Sequence, residues 1–154
     1  MVDLVDYGEG AQNAVYYVFL STPFVYGLTI AALHLKGSST LGLPIGWHYY
    51  LTVLYGIAAL WFAEKVKKDD WAERRKSVHK PAEFYSAHYQ NNLMGLALPV
   101  SAGTIGMLVF LITGDLPLPG ALLVLSLIGL MKQFPTDAEM LARREEITFT
   151  NEQV

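Results

Sequence analysis

Histidine is the side chain here best suited to ligating a metal or moving a proton near neutral pH, and the chain has four: His34, His48, His79 and His88. His34 and His48 are separated by 13 residues that join two apolar stretches, so they would share a leaflet if both stretches crossed a bilayer. A hairpin there could bring both imidazoles to one haem iron or one metal ion, and single axial ligation of a haem or chlorin is no better supported. His88 opens the polar run Tyr89-Gln90-Asn91-Asn92, which could hold a quinone head or another small polar group but is better explained as a water-exposed helix foot that needs no ligand. His79 lies among basic residues and is expected to be solvated. Glu83 precedes His88 by five residues, so the i, i+3 pairing of Glu and His used in di-iron bundles is absent. The sequence shows no paired carboxylates, Ser-His-Asp set or phosphate-cradling glycine loop. It has no cysteine, which excludes disulfides, thiolate metal sites, iron–sulfur ligation and a thiol nucleophile.

The elements that must position these residues are apolar. At 154 residues the chain is one domain's worth of protein, and it is 53% hydrophobic against 16% charged. Four apolar stretches, at 15–35, 47–63, 93–113 and 116–131, can be set against the roughly 20 residues a helix needs to cross hydrocarbon. Val15–Leu35 carries no charge. Trp47–Ala63 has Trp47, Tyr49 and Tyr50 at one end and Trp61 and Phe62 at the other, the aromatic belts of a span. The last stretch is shorter and starts at Pro117 and Pro119. Met1-Val2-Asp3-Leu4-Val5-Asp6 is acidic where a secretory signal would be basic, so the first stretch reads as a retained span. The expected fold is all-α, an integral membrane four-helix bundle.

Orientation follows from charge. Lys65, Lys67, Lys68, Arg74, Arg75, Lys76 and Lys80 lie between the second and third stretches, and Lys132, Arg143 and Arg144 follow the fourth. Ten of eleven basic residues thus share one membrane surface, which by the positive-inside tendency is cytoplasmic, with both termini on that side. Acidic residues interleave the basic ones from 65 to 80, so a solvated helical extension is expected there. A new helix should start at Pro81, reach out of the bilayer before span three, and kink at Pro99. Thr136-Asp137-Ala138-Glu139 has the capping-box spacing for a short C-terminal cytoplasmic helix, with Glu139 reaching back and the final residues extended.

No span carries Asp, Glu, Lys or Arg near its middle, which argues against a self-sufficient transporter, pump or channel. The interior hydroxyls, among them Ser21, Thr22, Tyr26, Thr29, Tyr55, Ser101, Thr104 and Ser126, are expected to bond other helices or their own backbone. Gly95, Pro99 and Gly103 recur every fourth residue, as do Ala102 and Gly106. That spacing lets another helix approach closely, whether from this chain or from another subunit.

Glu83-Phe84, Asn92 and Pro99 look similar to a motif of the small four-helix membrane enzymes of eicosanoid and glutathione metabolism, which carry Arg, Asn and Glu at the cytoplasmic end of a helix that later contains Pro. The similarity covers 17 residues, lacks the Arg and the intramembrane Glu, and lies before the third apolar stretch instead of the second. Those departures remove the residues that bind and activate the thiol in that family, so the chain is not assigned to it. The resulting expectation is a non-catalytic accessory subunit of a multi-subunit membrane complex, an energy-converting or oxidoreductase assembly in the cell membrane. Its partners would be other membrane subunits and lipids, and composition gives no support for nucleic acid. The alternatives are a haem- or pigment-binding subunit using His34 and His48, and a small membrane enzyme with its pocket at the foot of span three.

Overall fold

Long apolar runs favour helix, because only a helix satisfies every backbone polar group within its own segment when the surroundings cannot. The computed structural model describes residues 3–37, 41–44, 46–134 and 136–151. Its helices are α1 (Asp3–Leu35), α2 (Trp47–Arg74), α3 (Pro81–Thr113), α4 (Pro117–Lys132) and α5 (Asp137–Asn151), with a 3-10 turn at Arg75–Ser77. Among the described residues there are no strands.

Local chemistry explains the boundaries. The α3 helix starts at Pro81, where a missing N–H costs nothing, and the Glu83 carboxylate accepts from the backbone N–H groups of His79 at 2.7 Å and Lys80 at 3.0 Å. It stops at Gly114, whose φ of 73° is the left-handed cap conformation and whose N–H bonds the Phe110 carbonyl at 2.7 Å. The Thr136 hydroxyl accepts from the Glu139 N–H at 3.2 Å at the head of α5.

Two sequence expectations about α5 are corrected. Glu139 does not reach back to the cap, because its carboxylate is taken by Lys67 and Arg143. The residues after Arg144 are not extended as far as Asn151: α5 continues through them, and Ile147 packs on the Trp71, Val78 and Phe84 cluster.

Helix segments Ala14–Leu35 and Glu83–Thr113 are long and apolar enough to cross a membrane. The stretches at 47–63 and 116–131 do not reach that measure alone. The first is continuous with a charged half of α2, and α4 has 16 residues, about 24 Å at 1.5 Å per residue. A third candidate arises if Pro117–Lys132 and Asp137–Ile147 are one broken span, bent by 49°.

The α3 helix is central, with its largest interfaces against α4 and α2 and a smaller one against α1. The small residues of α3 lie where α4 crosses it. A Cβ on Gly103 would fall 2.8 Å from Ser126 Oγ, and one on Gly106 3.0 Å from Leu122 Cβ and 3.1 Å from the Pro119 carbonyl. Ala102 is fully buried. Gly129 of α4 faces Pro99, whose Cβ would lie 2.8 Å from an added Cβ, with Leu60 Cδ2 at 2.5 Å. We therefore expect Gly129→Ala to destabilise the chain by about 1–3 kcal/mol through overpacking. Gly120→Ala, inside α4 with nothing within 4 Å of the new methyl, should not destabilise it and by helix propensity should stabilise it by up to about 1 kcal/mol; detergent-solubilised melting curves of the two variants check both outcomes.

Most hydroxyls within the apolar helices are satisfied locally or across helices, and Ser126, expected to be bonded as well, is an exception. Ser21 donates to the Val18 carbonyl at 2.7 Å and Thr29 to that of Val25 at 2.8 Å. Tyr55 pairs with Ser101 at 2.7 Å and Tyr26 with Thr104 at 3.5 Å. Ser126 Oγ is buried and has no partner among the described residues. Tyr16, buried with Leu96 and Leu130, donates to the Leu130 carbonyl at 2.8 Å and fastens α1 to α4. Elsewhere α1 is loosely covered, with 11% of its apolar window buried against 44% for α3.

Candidate functional site at the polar end of the helices

Helical periodicity assembles one polar layer from three elements. On α2, Lys67, Asp70, Trp71 and Arg74 follow i, i+3, i+4, i+7 and share a face. On α3, Phe84, His88, Asn91 and Asn92 follow i, i+4, i+7, i+8. On α5, Glu139, Arg143 and Glu146 follow i, i+4, i+7. The three faces meet where α2 and α5 lie beside the first turns of α3.

Glu139 is the hub. One carboxylate oxygen accepts from Lys67 Nζ at 3.1 Å and the other from Arg143 Nη2 at 2.6 Å. Lys67 and Arg143 are nearly enclosed, with 8% and 10% of their side chains exposed, so their charges depend on that carboxylate. The Arg143 guanidinium also lies 4.5 Å from the centre of the Trp71 ring, a cation–π contact. Burial pushes the Lys67 ammonium below the ordinary lysine range, and Glu139 restores part of that shift.

His88 is held on both sides. Arg143 Nη1 lies 3.2 Å from its Nδ1, and the Asn92 amide lies 3.0 Å from its Nε2. Guanidinium groups only donate, so Nδ1 accepts and the ring proton sits on Nε2. That N–H needs an acceptor. The Asn92 carbonyl oxygen, otherwise buried without a partner, supplies it when the amide is turned toward the ring. Phe84 stacks on the imidazole at 5.9 Å and Trp71 meets it edge-on at 6.3 Å. The ring is therefore a fixed, neutral hydrogen-bond bridge between α3 and α5, and proton exchange requires Arg143 or Asn92 to move.

Asn91 ties α3 to α2. Its amide donates to the Lys67 carbonyl at 2.6 Å and to the Asp70 carboxylate at 2.9 Å. Asp70 also accepts from Arg74 Nε at 2.6 Å, and Arg74 reaches Gln90. Partial burial alone would raise the Asp70 carboxyl, but the bonds from Arg74 and Asn91 outweigh it and hold the group below its ordinary 3.8.

Beside this layer is a cavity of about 290 Å³, between Glu64, Lys67 and Lys68 of α2, Lys132 and Gln133 at the end of α4, and Glu139 and Arg143 of α5. Among the described residues, no group of three or more His, Asp or Glu is arranged to hold a metal ion.

The sequence treated His88 as a water-exposed helix foot, but it is 1% exposed. Lys67, placed among the membrane-surface cations, is instead buried in the ion-pair layer, and Arg74 is half-buried against Asp70. Lys65, Lys68, Arg75, Lys76 and Lys80 are exposed. His34 is exposed in the last turn of α1, and the His48 side chain lies outside the described residues. Glu139 was read as a capping-box carboxylate and Arg143 as one of the basic residues on the cytoplasmic surface, neither as part of an ion-pair layer. The signal that finds them is the i, i+4 carboxylate–guanidinium pair on α5, matched by an equally polar face on α2. Comparison with protein-family models, curated proteins and solved structures finds no match.

Proposed function

We propose that the chain is an integral membrane protein with four spans and both termini on the cytoplasmic side, acting as a non-catalytic accessory subunit of a multi-subunit membrane complex. An energy-converting or oxidoreductase assembly in the cell membrane is the class proposed. The observation that carries this reading is α1, a 33-residue helix whose apolar window is 11% buried. Such a helix leaves most of its side surface for lipid or a neighbouring subunit, and its hydroxyls Ser21, Thr22 and Thr29 already bond their own backbone. The basic residues support the orientation, since ten of eleven fall on one side of the proposed spans.

The test is purification in mild detergent followed by mass spectrometry of what accompanies the chain. A stoichiometric membrane partner is expected, lost when Val18 and Val25, both exposed on α1, are changed to tryptophan. Recovery of the chain alone from its native membrane overturns the subunit reading.

A second reading is favoured by the buried His88–Asn92 layer beside the cavity: a small membrane enzyme working at this end of α3. Turnover of a lipophilic substrate by the isolated chain, abolished by His88→Gln, distinguishes it.

A further inference from the structure

The cavity beside the ion-pair layer has an unbalanced wall. Four cations, Lys67, Lys68, Lys132 and Arg143, face two carboxylates, Glu64 and Glu139. Glu139 is shared by Lys67 and Arg143, and Glu64 is taken by Lys68 at 2.9 Å. Lys132 makes no ion pair among the described residues, and Lys67 bonds Glu139 with one of its three ammonium protons.

A second, independent feature points into the same space. Gln133 is 4% exposed, yet its side-chain amide makes no hydrogen bond among the described residues. Its polar atoms are not sealed from solvent, so the amide opens onto the cavity that it borders and is available to an occupant. Gly95 makes its placement feasible, since a Cβ there would lie 2.9 Å from Gln133 Oε1 and 3.2 Å from Lys67 Cδ. The missing side chain leaves room for the glutamine and the lysine to lie side by side.

Size and position narrow the occupant. At about 290 Å³ the space is at the lower limit of ordinary ligand pockets and suits a compact group. It lies at the end of the apolar α4, where Met131 gives way to Lys132, and at the first charged residues of α2. On the membrane reading above, on which this inference rests, that level is the headgroup layer of the surface carrying most of the basic residues. Basic pockets between spans on that surface suit anionic headgroups.

We propose that this cavity binds the phosphate group of an anionic membrane lipid, with Lys132 and Lys67 opposing its charge and the Gln133 amide donating to a phosphate oxygen. The lipid would add the negative charge the wall lacks and give Gln133 its partner, locking the end of α4 against α2 and α5.

The experiment places the full chain in nanodiscs of phosphatidylcholine alone or with phosphatidylglycerol, then measures retained lipid by native mass spectrometry and the thermal midpoint. The wild type is expected to retain phosphatidylglycerol and to melt higher in its presence. Lys132→Gln, a change at an exposed residue, should weaken retention about fivefold, and Gln133→Leu should weaken it further. Lys76→Gln, exposed and outside the cavity, should behave as wild type. Equal retention by wild type and Lys132→Gln overturns the proposal. So does an equal rise in midpoint from inorganic phosphate in phosphatidylcholine discs, which would assign the site to a soluble anion. The membrane reading is scored separately, by whether the chain pellets with membranes and resists extraction at high pH.

Discussion

Replacing Glu139 with alanine is expected to lower stability by about 3 kcal/mol, among the largest effects of any single substitution outside the apolar core. The reason is asymmetric. Lys67 and Arg143 lose their shared counter-charge while remaining 8% and 10% exposed, and an unpaired buried charge costs more than an intact pair contributes. Glu139 itself is 29% exposed, so water relieves part of the loss, which puts the figure at the lower end of the range for broken buried pairs. Glu139→Gln keeps hydrogen-bond acceptance and should lose less. Combining Glu139→Ala with Lys67→Met and Arg143→Met should recover part of the stability, because the unpaired buried charges are gone while His88 Nδ1 loses its donor. Denaturant titrations in a fixed detergent decide this, and a triple variant no more stable than the single one contradicts the charge argument.

Acidification is the second large effect. His88 is neutral in the folded chain, since its Nδ1 must accept from Arg143 and an imidazolium there would abut a second buried cation. Once unfolded, the ring takes up a proton below about 6.5. The unfolded state therefore binds more protons as pH falls, and stability should drop by up to about 1.4 kcal/mol per unit below that value for as long as the folded ring stays neutral. Asp70 adds a later loss of the same direction. Its carboxyl is held below 3.8, so its contribution is full above that value and disappears as pH falls through the depressed one. His88→Gln, which retains an acceptor for Arg143 and does not titrate, should flatten the upper part of the profile and leave the lower part. A profile unchanged by His88→Gln would place the acid sensitivity elsewhere.

Much of the helical layout was legible because it depends on local signals. Pro81 marked the start of α3 through its missing donor, a short-range effect, whereas the Glu83 carboxylate cap and the left-handed φ of Gly114 are seen only in the structure. The helical extension of α2 was readable from interleaved charges, but it was expected as far as residue 80, and the helix ends at Arg74 with a 3-10 turn after it. The burial of Lys67 and His88 was not, since each looks like an ordinary solvated residue within its own helix. Glu139 shows the limit most clearly. Its capping-box spacing is real, and Thr136 does cap, yet the carboxylate turns away to two cations, one of them 72 residues earlier in the chain.

Composition and periodicity by themselves determined that the chain is helical with long apolar stretches, and that its basic residues gather between the second and third of them and after the fourth; of the four stretches expected to cross a membrane, two lie in helices long and apolar enough to do so. Only the tertiary arrangement decided which polar residues are structural. Apolar length and charge-free runs are sums over neighbouring residues, whereas the Lys67–Glu139 pair exists only because helices distant in sequence bring opposite charges within about 3 Å of each other, with the ammonium largely shielded from water.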